Sequence, residues 1–410
     1  MKLLHLADLH FGKVIYNHSL LEDQADWVEK IIAYIAKNRP DAVAIAGDVY
    51  DRGVPAREAI PLLTHLLTAI ADMHIPVMVI AGNHDGGERL EFADSLLQRS
   101  DVYIAGTTRR DMVHFTRDFG DGFGPVTFWL MPYTFPAAIR QVLGKGDDDF
   151  SSYTDAVKAL LEAQEIDFTA RNVLIAHQTV AFGEEKPEIG RSCSAVGGVG
   201  CIDISVFEGF DYVALGHIHG HQKIGRGRIR YAGSPLCYHF DEASQAKGPL
   251  LVTLGEKGAE PVCTLETIEP LHHVRKKMVG TLEDIIAEET ASEARNEYVE
   301  VELTSGEVSP SVRETLTSLF DAHSCRLLHI SRALRTVSGE WKDEEEVSPE
   351  ELPMDQLFVQ FYRQQRSGEE PAPEDMALIA MAADETGHSD TDTLAQKLTD
   401  TILKQERDRT

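Results

Sequence analysis

Residues 75–87 read IPVMVIAGNHDGG. An apolar run long enough for a buried strand stops at Gly82 and is followed at once by Asn83, His84, Asp85 and two more glycines. A chain that sets an amide, an imidazole and a carboxylate at the end of a core strand is presenting polar groups at a sheet edge. Working outward, the same punctuation recurs: KLLHL runs into Asp8 and His10, DAVAIAG into Asp48 with Asp51, NVLIA into His177, and DYVALG into His217 and His219. The stretches LLEDQADWVEKIIAYIAKN and PLLTHLLTAIADM between them carry apolar residues at helical spacing. Strands alternating with helices predict βαβ units in a layered α/β fold. In such folds ligands gather beyond the carboxyl ends of the strands, where loops distant in sequence converge.

Taken singly, each strand end is ambiguous. A histidine there is commonly a hydrogen-bonded surface residue, G-N-H-D also reads as a turn because Gly and Asn tolerate φ > 0, and G-D-x-x-D also opens a helix. Five such ends in succession, each after an apolar strand, carry the reading of a single site. Its side chains are imidazoles, carboxylates and an amide, with no thiolate, which suits a borderline-to-hard divalent cation. The period of two in D-x-H and H-x-H is expected to aim both members of a pair to one face of an extended segment. A central carboxylate can bridge two cations about 3.5–4 Å apart.

Composition bounds the rest. At 410 residues the chain exceeds a single core, so more than one domain is expected. No apolar run approaches the ~18 residues of a membrane span, and MKLLHLADLH turns polar too soon for a signal peptide. Cys193, Cys201, Cys237, Cys263 and Cys325 are odd in number and contain no C-x-x-C pair. Free thiols in a reducing, cytoplasmic setting are therefore expected. A net charge of −28 disfavours unaided binding of a polyanion. The acid is densest in residues 341–410, where 18 Asp+Glu face 7 Lys+Arg.

Three regions separate. Residues 1–270 hold every strand-end group. Residues 271–338 form a smaller unit in which LEDIIAEETASEAR and SVRETLTSLFDAH read as helices, and EYVEVEL and CRLLHISRAL as strands. A charged linker, GEWKDEEEVSPEELP, covers 339–353, and residues 354–410 contain two amphipathic helices. In the first of these, Met354, Leu357, Phe358, Phe361 and Tyr362 share one helical face; that stripe reads either as core or as a docking surface for another chain. The basic run KIGRGRIRY, with Lys223, Arg226, Arg228 and Arg230, reads as a hairpin directly after H-x-H. It is either a solvated charged hairpin or a set of DNA phosphate contacts beside the site.

The set D-L-H, G-D-V-Y-D-R, G-N-H-D, A-H and G-H-I-H resembles the calcineurin-like metallophosphoesterase superfamily. LLEDQ, GFDYVALGHIHGHQ, YAGSPLCYHFDEA and MDQLFVQFYRQQRSG extend the resemblance, over nearly the whole chain, to the SbcD family of bacterial nuclease subunits. The resemblance implies a layered α/β metallophosphoesterase β-sandwich flanked by helices (1–270), a small α+β capping domain that positions DNA (271–338) and a C-terminal helix pair (354–410). It implies one cation held by Asp8, His10, Asp48 and His219, and a second held by Asp48, Asn83, His177 and His217. Mn2+ is preferred for this mixed nitrogen and oxygen set, with Mg2+ the alternative. By the same resemblance His84 is the general acid, and Asp51 orients it. Asp85 reads as a cap on the turn, and the glycines as allowing a tight turn and close approach of a phosphate backbone.

The implied partners are DNA, as hairpins and double-strand ends, and an SbcC-type coiled-coil ATPase docked at Leu357, Phe358, Phe361 and Tyr362. No G-x-x-x-x-G-K-[ST] occurs in this chain, so ATP dependence belongs to that partner, in a two-plus-two assembly built on a homodimer. The implied function is a metal-dependent DNA nuclease, a double-strand exonuclease and single-strand or hairpin endonuclease, in repair and recombination. Two other readings use the same ligands: a stand-alone metallophosphoesterase acting on a nucleotide, phosphoprotein or phospholipid, and a metal-binding scaffold without turnover.

Overall fold

The apolar runs become strands of two sheets that share a core. The computed structural model describes residues 1–146, 149–182, 187–188, 200–225, 227–275 and 277–333. The linker at 339–353, the expected helices at 354–410 with Leu357, Phe358, Phe361 and Tyr362, and Arg226 of the basic run lie outside the described residues.

Among the described residues, one six-stranded sheet runs in the order Val262–Leu265, Leu250–Thr253, Lys2–Leu6, Ala42–Ala46, Val77–Ile80, Val102–Ala105. Its last four strands are mutually parallel, as βαβ connections require. The other six-stranded sheet runs Gln222–Ile224, Ile229–Tyr231, Tyr212–Gly216, Arg171–His177, Val126–Met131, Val113–Arg117. Alternation along each strand divides its side chains between two layers. Leu4, Leu6, Val43 and Ile45 face a core shared with Trp27, Ile31, Ile35, Leu66 and Ile70 of the helices Leu21–Asn38 and Ile60–Asp72. The intervening Leu3, Ala42, Ala44 and Ala46 face the second sheet, where they meet Phe128, Val173, Ile175 and Tyr212. Leu174, Ala176 and Leu215 on the far side pack under Ile139, Val157 and Leu160 of the helices Pro136–Leu143 and Tyr153–Glu162. Each fully buried large apolar side chain contributes roughly 1.5–3 kcal/mol, so three stacked cores hold the helix–sheet–sheet–helix layers. The expected β-sandwich flanked by helices is the observed fold.

Residues 273–332 form a smaller sheet centred on Glu297–Leu303, which pairs in parallel with His273–Val274, Met278–Gly280 and Arg326–Arg332. The helices Leu282–Ala291 and Pro310–Ala322 cover it and bury Ile285, Leu316 and Phe320 against Val299 and Val301. Thr281 and Asp284 form a reciprocal capping box at the first helix, and Ser309 caps the second. This element belongs to the same compact unit, residues 1–334, as the sandwich. Its seam with the sandwich is polar. Tyr298 Oη donates to Asp23 at 2.6 Å, His272 Nδ1 lies 2.9 Å from the same carboxylate, and His18 Nε2 lies 3.2 Å from Tyr298 Oη. The Tyr16 ring stacks on His329 at 4.2 Å. Among the described residues no helix is long and apolar enough to cross a membrane.

Candidate metal centre

The carboxyl ends of Lys2–Leu6, Ala42–Ala46, Val77–Ile80, Arg171–His177 and Tyr212–Gly216 open on one rim. There the chain leaves extended geometry. Asp8 (φ 53°), His10 (φ 44°), Asp48 (φ 48°) and His217 (φ 101°) all sit at positive φ. D-x-H and H-x-H are therefore not flat strand pairs, as their period suggested; the backbone kinks at the ligand-type residues and aims them inward. Such conformations cost on the order of 1–3 kcal/mol each and persist only where neighbours over-determine them. Here the two leading turns are laced together, with Asp8 N–H donating to Gly47 O at 3.0 Å, His10 N–H to Asp48 O at 2.9 Å and Phe11 N–H to Val49 O at 2.9 Å.

The side chains converge. Asp8, His10 and His219 form one group of potential ligands, and Asp8, Asp48 and His177 another. His10 Nε2 and His219 Nε2 lie 3.1 Å apart. Asp48 Oδ2 lies 3.5 Å from His10 Nε2 and 3.3 Å from His177 Nε2, between the two groups. Asn83 Oδ1 lies 3.1 Å from His177 Nε2 and 3.0 Å from His217 Nδ1. All seven residues read as ligands thus meet at one place. The set fits divalent cations on its own chemistry: Asp8, His10, Asp48 and His177 are almost wholly buried, and Asp8 Oδ2 has no hydrogen-bond partner. A buried carboxylate oxygen left unpaired is costly without a cation to meet it.

Burial pushes Asp8 up from the usual carboxylate range and His10 down to about 4. It also pushes His217 down to about 3, helped by the charge of His177. Burial opposes ionisation of Asp48 too, yet the charge and hydrogen bond of His177, with His10 and His84, hold it well below the usual range. In return, and against burial, Asp48 raises His177 to about 9. The rim is a set of mutually dependent charges at close quarters, as metal sites are before their ions are counted.

His84 lies at the open side, its ring 4.8 Å from that of His10. Its main-chain N–H donates to Asp48 Oδ1 at 2.9 Å. Its Nδ1 lies 3.0 Å from the main-chain carbonyl of Asp51. A carbonyl only accepts, so Nδ1 carries the proton and Nε2 is left for a ligand. The orienting contact expected of Asp51 is made by its backbone. Its carboxylate turns instead to Lys13 Nζ at 2.8 Å and His10 Nδ1 at 3.5 Å. Asp85 caps the turn as read, accepting N–H bonds from Gly82, Val49 and Tyr50 at 2.9, 3.0 and 2.8 Å. Burial, with the Asp48 charge, pushes it up to about 7.

The close approach that the glycines allow is to the protein's own atoms. A Cβ at Gly82 would lie 2.1 Å from Asp48 Oδ1, and one at Gly87 would lie 2.2 Å from Gly106 O. The space they leave is filled by the protein itself, not kept for a phosphate backbone. The basic run forms the hairpin read in the sequence. Lys223 pairs across from Arg230 in an antiparallel hairpin, but Ile229 is in register with Val213, at the start of the strand that ends in Gly216. The turn therefore lies at the end of the sheet away from His217. Arg228 reaches Glu260 at 3.4 Å and Arg230 reaches Gly227 O at 2.9 Å.

Sequence reading passed over several groups that hold the rim. Gln24 donates to His10 O at 2.7 Å and accepts from Gly12 N–H at 2.8 Å. Glu242 and Lys247 back His219, with Glu242 Oε1 3.1 Å from Nδ1. Gln24 and Glu242 lie in LLEDQ and YAGSPLCYHFDEA, stretches that carry the family resemblance, but only the fold shows which groups of the ring they reach.

Residues 1–221 match the family described as Calcineurin-like phosphoesterase, and residues 268–366 match a Type 5 capsule protein repressor C-terminal domain. The chain is 32% identical over 310 residues to the SbcD subunit of the nuclease SbcCD from Staphylococcus epidermidis, covering 74% of this chain and 79% of that protein. Among solved structures, a protein of Thermus thermophilus aligns at TM-score 0.37 and 12% identity, over 64% of this chain and 98% of its own. A dimetal phosphatase from Danio rerio aligns at TM-score 0.35 and 13% identity, over 65% and 98%.

Proposed function

The chain belongs to the calcineurin-like phosphoesterases, in their SbcD branch, and from that premise we propose that it is the DNA-cleaving subunit of a two-component nuclease. The observation that carries the reading is the convergence of Asp8, His10, Asp48, Asn83, His177, His217 and His219 on one rim with His84 at its open side. Asp8, His10, Asp48 and His219 would hold one cation, and Asp48, Asn83, His177 and His217 the other, with Mn2+ preferred over Mg2+ for a set that mixes imidazole with oxygen. When bound, the two cations supply a water of lowered pKa and neutralise charge on the phosphoryl oxygens.

The chain's own groups do the rest. Asp48 separates the two halves and anchors the backbone of His84. Fixed at Nδ1 by the carbonyl of Asp51, His84 directs Nε2 to the open side, where in its protonated form it gives a proton to the departing oxygen. With a net charge of −28 on the chain, binding a DNA phosphate depends on the cations and on a partner that offsets that charge. The reading includes that partner, an SbcC-type ATPase docked on the C-terminal helices, a cytoplasmic setting and a homodimer.

The test is cleavage of an end-labelled DNA hairpin by the purified chain in Mn2+, with and without the ATPase and ATP. Opening of the hairpin in Mn2+, increased by partner and ATP, is the expected result. Turnover of small phosphodiesters with intact DNA in every arm would overturn it in favour of a stand-alone phosphoesterase.

A further inference from the structure

Glu242 and Lys247 lie outside the ligand set, yet both are buried against His219. Glu242 is 1% exposed and the Lys247 side chain 8%. One carboxylate oxygen of Glu242 is 3.1 Å from His219 Nδ1. The other accepts from Lys247 Nζ at 2.8 Å and from Tyr238 N–H at 3.1 Å. Lys247 also donates to the carbonyl of His219 at 2.8 Å and to Ser234 Oγ at 2.9 Å. The pair therefore grips His219 at both ring and main chain. Burying two opposite charges costs several kcal/mol per ion before their attraction is counted, so replacing them with apolar groups would be the cheaper way merely to fill the space. A carboxylate only accepts, so Nδ1 of His219 carries the proton and the lone pair of Nε2 is fixed toward the rim. Burial alone would raise Glu242; the hydrogen bond from His219 and the charge of Lys247 hold it well below the usual carboxylate range.

A looser carboxylate contact stands behind His10, whose Nδ1 makes no hydrogen bond. His10 Nδ1 is 3.5 Å from Asp51 Oδ1, which pairs with Lys13 Nζ at 2.8 Å. On the opposite half of the rim the backing is different in kind: His177 Nδ1 donates to the neutral carbonyl of Ala46 at 2.8 Å. A carboxylate behind an imidazole fixes its tautomer and raises its basicity, effects worth roughly 10–100-fold in metal affinity. A carbonyl fixes the tautomer without adding a charge.

We propose that Glu242, neutralised by Lys247, is a positioning residue for His219, and that it makes the Asp8–His10–His219 half of the rim the tighter of two unequal cation sites. The inference rests on the two-cation reading above.

Calorimetric titration of the metal-free full chain with MnCl2 tests it without reference to cleavage. The wild type is expected to bind two Mn2+ in separable steps. Glu242→Gln is expected to weaken the tighter step by roughly tenfold or more and to leave the weaker step within about twofold. Lys247→Met and the isosteric neutral pair Glu242→Gln/Lys247→Met should do the same; the double variant carries no lone buried charge and so serves if a single variant fails to fold. Lowered melting temperatures with both binding steps unchanged, or equal weakening of both steps, would overturn the inference and leave the pair a packing feature. A wild-type chain that binds one Mn2+ or none overturns the two-cation reading itself, and this inference with it.

Discussion

Two clusters of histidine, aspartate and tyrosine sit about one short hairpin apart, and they are built on opposite principles. At the seam with the smaller sheet, Asp23 is met on one oxygen by Tyr298 Oη and on the other by His272, and His18 closes on the same hydroxyl. At the rim, Asp8 Oδ2 has no partner, imidazole nitrogens face one another at 3.1 Å, and four of the ligand-type residues hold left-handed backbone. The seam is complete as it stands and the rim is complete only with something added. Residue type does not separate a latch from a binding site; the state of the lone pairs and the backbone does.

The sharpest way to break this contrast is to disarm the rim without dismantling it. His84→Gln is expected to keep both Mn2+ by calorimetry and to lose DNA hydrolysis by two or more orders of magnitude, about 2.7 kcal/mol or more in the barrier. Near-normal turnover by the metal-loaded variant would remove His84 from the chemistry.

His5 tests the rule at its edge, because it has an unpaired nitrogen and no converging ligands. Its Nδ1 is 2.9 Å from Tyr212 Oη, while its buried Nε2 has no hydrogen-bond partner. Burial, with the charge of His221, pushes its pKa down to about 3. The folded ring stays neutral where the unfolded chain takes up a proton near pH 6.5, so its contribution is present above about pH 6.5 and is lost as pH falls toward about 3. In chelator, the wild type is expected to lose about 2 kcal/mol more than His5→Gln between pH 7 and 4.5, read from urea midpoints. Parallel losses would show that burial of His5 carries no pH-dependent cost.

The smallest effect belongs to the seam. Tyr298→Phe removes the donor to a buried carboxylate and is expected to cost about 1–2 kcal/mol of stability while Mn2+ stoichiometry stays as in the wild type. A loss of bound metal in that variant would mean that seam and rim are not separate devices.

The layered fold and the side chains that converge on the rim were legible because both are written locally. Val77–Ile80 is a run of four buried residues, and the group that follows it is one the core does not accept unpaired. Other features are not local. The left-handed kinks at Asp8, His10 and His217 look like ordinary alternation in sequence, because a period of two says nothing about φ. Gly82 and Gly87 are fixed by Asp48 and Gly106, which only the fold brings near. KIGRGRIRY reads as a hairpin, but which end of the sheet receives its turn depends on the parallel register of Ile229 with Val213. Glu242 lies in a stretch, YAGSPLCYHFDEA, that carries the family resemblance, and Lys247 lies just beyond it, but neither that stretch nor periodicity ties them to His219; the packed structure does.

One stretch of chain joins the two clusters. Asp8 and His10 lie at the rim, Tyr16 and His18 are carried on the hairpin that touches the smaller sheet, and Asp23 and Gln24 are neighbours on one helical turn, the first engaged at the seam and the second bracing His10 and Gly12. Seventeen consecutive residues, Asp8 to Gln24, thus carry contacts to both clusters. One covalent stretch serves two clusters, and its sequence is constrained from both sides at once.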